Sequence, residues 1–146
     1  MKIYIASSWK NQHAVQMLTA LLKERGHEVL SFIENNHGEN KVHASFGEKA
    51  MPFEEWVWSD SGQRSFNFDI NGAMFSDLVI YIAPSGQDAW AEVGAAYGKG
   101  VPILGLWAKG ESVGLMRRMV LAWYEDYNVL LVAVAELSGL KKGASA

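Results

Sequence analysis

The stretch LVIYI, residues 78–82, is apolar at every position, and no other segment constrains the fold as strongly. A strand with one face in water alternates apolar and polar side chains, whereas a strand buried on both faces does not. Residues 78–82 therefore read as a central strand of a parallel sheet with helices on either side. The segments before it fit that plan. MKIYIASSW is a short β-branched and aromatic strand with a polar turn, whose SS pair is placed to cap a helix. In KNQHAVQMLTALLKERGHEV, Ala14, Val15, Leu18, Leu21 and Leu22 recur at helical spacing, and Gly26 supplies the stop. EVLSFI is a second strand. Strand, helix and strand with short joints make a right-handed βαβ unit.

Downstream, a helix is expected over roughly 87–99, VPILGLW is a fourth strand, and SVGLMRRMV is a helix. MVLAWY is either the end of that helix or a fifth strand. YNVLLVAVAELSGL is a terminal helix, apolar over so much of its circumference that it is expected to pack on a partner subunit as well as on its own sheet. Residues 34–66 lack a period and are either disordered or a functional lid. Trp56 and Trp58 favour partial order, with one helix near 53–60, and SFNFDINGAMFSD reads as a short helix leading into the central strand. The expectation is α/β: a single domain over 1–140, a flavodoxin-like, doubly wound parallel sheet of four to five strands with flanking helices, and a flexible tail over 141–146.

Composition limits the function classes. A chain of 146 residues with 49% hydrophobic and 20% charged residues suits one globular domain. Its longest apolar runs fall short of the roughly 20 residues that span a bilayer, and no signal peptide is evident, so no membrane partner is expected. The absence of cysteine removes disulfides, thiolate metal ligands and thiol nucleophiles, and fits a cytoplasmic protein. A net charge of −3 argues against a nucleic-acid surface. His13, His27, His37 and His43 are scattered, so no metal site is indicated, and no phosphate-cradling glycine motif occurs. No cofactor is expected.

In an open parallel sheet, ligands bind beyond the carboxyl ends of the strands. Here the loops ASSWKN, APSGQDAW and WAKGES meet that description. Glu92 follows the second of them, early in a helix, where the positive end favours a carboxylate by about 0.3–1 kcal/mol near the surface. It is expected to stay ionised, with Asp88 nearer the helix start as a cap. Glutamates on helices are usually solvated. Ala89, Ala91, Ala95 and Ala96 suggest a close approach, although helix-forming alanines explain them equally well.

Taken together, KIYIASSW, DINGAMFSDLVIYIAPS and AEVGAAYGKGVPI resemble, in order and spacing, the nucleoside 2-deoxyribosyltransferase family, which includes nucleotide N-glycosidases of similar size. The resemblance covers most of the chain. It implies that Glu92 is a nucleophile toward the anomeric carbon of a (deoxy)ribosyl group, and that Asp69 exchanges a proton with the departing base. Tyr4 corresponds to the family tyrosine beside the nucleophile. Trp9 corresponds to a residue over the nucleobase, with Ser7 and Ser8 as polar contacts in the same loop. Ser85, Gly86 or Asp88 occupies the position where transferases carry an acid for the sugar 5′-hydroxyl and nucleotide hydrolases a serine for a 5′-phosphate. Asn128 is a candidate for an asparagine given by a partner subunit, since the family shares its sites between subunits in a homodimer or larger assembly. The implied substrate is a small nucleoside or nucleotide, with transfer and hydrolysis both open. Two other readings stand beside it: a non-catalytic nucleotide-sensing module on the same scaffold, and an NAD-cleaving domain of the interleukin-receptor-like type.

Overall fold

Strands β1 (Lys2–Ala6), β2 (Glu28–Ser31), β3 (Leu78–Ile82), β4 (Ile103–Leu106) and β5 (Ala122–Tyr124) make one parallel sheet in the order β2-β1-β3-β4-β5. The structure, a computed structural model, describes residues 1–35, 52–112 and 114–145. Side chains of β3 alternate between two cores. Leu78, Ile80 and Ile82 join Val15, Leu18 and Leu22 of α1 (Gln12–Glu24) and Leu130, Leu131 and Val134 of α6 (Tyr127–Ser145). Val79 and Tyr81 face the opposite way, toward Ala73 of α4 (Asp60–Phe75) and Ala89, Val93 and Ala96 of α5 (Gln87–Gly98). Burial on both faces is the reason β3 is apolar apart from the hydroxyl of Tyr81.

The order of the strands sets the place of the site. From β1 the chain steps outward to β2, then crosses back to β3 on the other side, which leaves a switch point between β1 and β3. The loops after these two strands diverge there and open a crevice.

Several expectations are corrected. The second strand stops at Ser31, and Phe32 and Ile33 begin α2 (Phe32–Asn35), where they turn into the core. The segment 114–120 is a 3-10 turn (Leu115–Met119), because the chain must return at once to form β5; MVLAWY thus supplies a fifth strand. Within 34–66, α3 (Phe53–Val57) occupies part of the expected helix, and α4 starts at Asp60, well before the predicted short helix. Ser59 caps α4, its Oγ accepting the Gly62 N–H at 3.1 Å. Residues 36–51 of that segment, including His37 and His43, lie outside the described residues. Helix α6 continues through Ser145, so the expected tail is helical to that point, with Lys141 ion-paired to Asp77. Among the described residues no helix is long and apolar enough to cross a membrane.

Candidate active site

Tyr4 is wholly buried on β1, and its ring has room because Gly72 of α4 has no side chain. A Cβ at Gly72 would fall 2.5 Å from Tyr4 Cδ2. The helix therefore comes close enough to bring Asp69, one turn earlier, over the end of β1. From α5, Glu92 meets the same point. The Tyr4 hydroxyl donates to its carboxylate, 3.0 Å from Oε2 and 3.2 Å from Oε1. Three residues far apart in the chain thus converge beside the crevice.

Glu92 is only 9% exposed. Burial, reinforced by the charge of Asp69 and then of Asp88, pushes its pKa up to about 9, against the opposing hydrogen bond from Tyr4. Asp69 is raised to about 7, again chiefly by burial, with the Tyr4 hydroxyl lowering it and Asp88 raising it. Burial and the same two carboxylates hold the Tyr4 phenol well above its ordinary value. The expectation that Glu92 simply stays ionised is overturned. It lies in the second turn of α5, beyond the reach of the helix end, and it has lost its water. The carboxylates behave as a coupled pair that holds a proton near neutrality.

The crevice encloses about 530 Å³, lined by Ser7, Ser8, Trp9 and Phe32 on one side and by Trp56, Ser65 and Asp69 on another. Ser85, Gly86, Gln87, Asp88, Ala89 and Glu92 close it. Ser8 Oγ, Ser85 Oγ and Asp69 Oδ1 are buried there with no hydrogen-bond partner among the described residues. Buried polar atoms are nearly always satisfied, so orphans gathered in one cleft mark it as a place for a polar ligand. A second hollow of about 430 Å³, between α3, α4 and α5, shares Trp56, Ser65, Asp69, Asp88 and Glu92 with the first.

Of the residues singled out from the sequence, Tyr4 and Glu92 are bonded and Asp69 joins them. Ser7, Ser8, Trp9, Ser85, Gly86 and Asp88 line the cleft with Asp69 and Glu92. Ser7 is structural as well, its Oγ donating to the Ile82 carbonyl at 2.9 Å and accepting from Asn11 Nδ2. Neither serine of the pair caps a helix by its side chain. Trp9 meets Phe32 edge-on, 5.1 Å between ring centres. Asp88 is not a cap: Gly86 takes that position and Asp88 sits in the first turn. Asp69 is neither a cap nor a turn residue but lies inside α4. Asn128 is the second residue of α6, its N–H bonded to Asp126 Oδ1, and is not among the residues that line the cleft. Trp56 and Ala89, noted in the sequence without a binding role, line the cleft as well, together with Phe32, Ser65 and Gln87, which the sequence does not single out. Ser65 stands one turn before Asp69 on the same face of α4, a relation visible only once the helix is known to begin at Asp60. Among the described residues no group of three or more His, Asp or Glu side chains is placed to hold a metal ion.

No protein-family model matches the chain, and no curated protein sequence does. Among solved structures it is similar to a 2-deoxyribosyltransferase from the psychrotolerant bacterium Bacillus psychrosaccharolyticus, with 26% identity and a TM-score of 0.67 over 89% of this chain and 90% of the other. The fold is that of the nucleoside 2-deoxyribosyltransferase family. The CMP N-glycosidase BcmB of Clostridium botulinum matches this deoxyribosyltransferase-like chain over 92% of its length and 99% of the neighbour's. At 17% identity and a TM-score of 0.56, that second likeness is one of fold alone. The deoxyribosyltransferase-like architecture accounts for the all-parallel sheet and for a crevice at its switch point.

Proposed function

We propose that the chain cleaves or transfers at the N-glycosidic bond of a (deoxy)nucleoside or nucleoside 5′-monophosphate, with Glu92 as nucleophile. The observation that carries this reading is the buried Tyr4–Glu92 hydrogen bond beside Asp69, at the wall of a cleft with unpartnered polar atoms. The likeness to a 2-deoxyribosyltransferase supports it.

The chemistry follows from one proton shared by two acids. With the proton on Asp69, Glu92 is an anion steadied by the Tyr4 hydroxyl. A Glu92 oxygen bonds to C1′ as the C1′–N bond breaks, and the bond's electron pair leaves with the nucleobase. Asp69 passes its proton to that base, help worth about 10²–10⁴-fold in general acid catalysis. Positive charge gathering on C1′ favours the desolvated carboxylate most in the transition state, which is where the interaction accelerates the reaction. An incoming base or water then attacks C1′ while giving a proton back to Asp69, and the C1′–oxygen bond to Glu92 breaks with its electron pair returning to the carboxylate. Trp9 and Phe32, packed edge to face, offer apolar aromatic surface for a nucleobase.

The lining includes Asp69, Asp88 and Glu92 and, among the described residues, no Lys, Arg or His. Arg117, the cation behind the loop, is already paired with Glu111 at 2.6 Å. A 5′-phosphate brings a charge of about −1.5 to −2. The start of α5 offsets such a charge by only about 0.3–1 kcal/mol at a surface. The charge balance favours a neutral 5′-hydroxyl, hence a nucleoside over a nucleotide. We take the working assembly to be a homodimer or larger.

The test is chromatography of nucleosides and nucleoside 5′-monophosphates incubated with the protein, with and without an added free base. New nucleosides identify a transferase and free base alone a hydrolase. No change in any mixture, or full activity in Glu92→Ala, defeats the reading.

A further inference from the structure

Behind the cleft lies a second buried acid that the mechanism does not use. Glu111, in the loop after β4, has a side chain with no exposure to solvent. Its Oε2 accepts from the Tyr81 hydroxyl at 2.6 Å and from the Ser85 N–H at 3.1 Å. Its Oε1 accepts from Trp90 Nε1 at 3.1 Å and from Arg117 Nη2 at 2.6 Å. Arg117 also lies over the Trp90 ring, 5.5 Å from its centre. Burial alone would raise the Glu111 pKa, but the bonds from Tyr81, Arg117, Trp90 and Ser85 outweigh it and hold the acid below its ordinary value.

A buried ion pair is a poor way to gain stability, because desolvation costs several kcal/mol per ion and an apolar cluster of like volume often does as well. What distinguishes this one is what it grips. One oxygen takes the backbone of Ser85, whose own hydroxyl is buried in the cleft with no partner among the described residues. The other takes Trp90, two residues before Glu92 and so about 200° from it around α5. The same carboxylate is anchored to β3 through Tyr81. It therefore fixes the 83–86 loop relative to the sheet and to the helix that carries the nucleophile.

We propose that Glu111 is a positioning residue: it holds the Ser85 loop in place, and with it the Ser85 hydroxyl, against the 5′ end of the sugar. The inference rests on the glycosidic reading above and goes beyond it in assigning a role to a residue outside the cleft. Replacement by Gln keeps the shape but turns one acceptor into a donor, facing either Trp90 and Arg117 or Tyr81 and Ser85. The loop then loses its anchor while Glu92, Asp69 and Tyr4 remain.

The test is a cycle of enzyme variant against substrate, with a 2′-deoxynucleoside that the wild type accepts and its 5′-deoxy counterpart. For Glu111→Gln, kcat/KM is expected to fall about 30-fold on the 5′-hydroxyl substrate, a loss of the size that a misplaced contact causes. On the 5′-deoxy substrate it is expected to stay within about threefold, because the contact is already missing there. A purely structural role would lower the melting temperature and reduce both substrates by one factor, and that result overturns the proposal. Trp90→Phe deletes a single donor and keeps an aromatic ring beneath Arg117, so it serves if the Gln variant does not fold. It is expected to show the same substrate-selective loss at smaller size, and equal losses on the two substrates overturn the proposal as well. A wild type that cleaves no nucleoside overturns the glycosidic reading and this inference together. An active wild type whose variants do not separate the two substrates overturns this inference alone.

Discussion

At the residue scale, the proton shared by Glu92 and Asp69 governs both chemistry and stability. The productive state is singly protonated, between the raised values of about 7 for Asp69 and about 9 for Glu92. The kcat/KM profile is therefore expected to be bell-shaped, with limbs that belong to the pair and not to either acid. Asp69→Asn should lower kcat by about 10²–10⁴-fold. It should also remove the basic limb, since a single carboxyl is then left to titrate and the Asp69 charge no longer raises Glu92. A pH–rate series on both proteins measures this. For stability the sign runs the other way from an ordinary ion pair. Glu92 goes from 4.5 to about 9 on folding, so the folded chain keeps a proton that the unfolded chain releases. That stabilisation is fully present below pH 4.5 and is lost as pH rises through about 9. Glu92→Gln carries no such loss. It should melt with the wild type near pH 4.5 and exceed it by roughly 3 °C, about 1 kcal/mol, near pH 8. Thermal melts at the two pH values decide it, and activity in the same variant should vanish.

At the scale of elements, the site depends on how closely α4 lies over β1. Gly72 permits that approach by the absence of one carbon. Gly72→Ala should cost about 1–3 kcal/mol, as overpacking of a filled core does, despite alanine's better helix propensity. Because the added carbon meets the Tyr4 ring, kcat should fall along with stability, which denaturant titration and initial rates measure separately. The 34–66 stretch shows why elements there were hard to read. Its helices are short or interrupted by serine and glycine, and α4 buries only Gly62, Ser65, Gly72 and Ala73, so it shows no apolar stripe. Its identity comes from the neighbours it packs against. The 3-10 turn at Leu115–Met119 is the converse case, where helix-forming residues are stopped short by the requirement to enter β5.

Over the whole molecule, α6 buries Leu130, Leu131 and Val134 but leaves Val132 59% exposed, with Val129 and Leu140 also out. Leu115, Met116 and Leu121 add exposed apolar surface on the segment entering β5. A self-associated assembly would cover such surface. Light scattering on the eluting protein should give a dimer or larger, and Val132→Lys should shift it toward monomer with little change in the unfolding midpoint of the chain itself. The α/β layering and four of the five strands are legible from the sequence alone, because burial on two faces keeps β3 apolar and helix-spaced segments alternate around it, whereas MVLAWY reads equally as a helix end or as β5 until the structure places it. The resemblance carried in Tyr4, Asp69 and Glu92 named the residues that meet. Only the tertiary structure decided their protonation, since a pKa depends on water removed by neighbours 88 residues apart in the chain. It also decided the place of Glu111, whose partners at 81, 85, 90 and 117 follow no period. Periodicity records which way a side chain faces within its own element, whereas a site is made where different elements cross, and that crossing is set by packing.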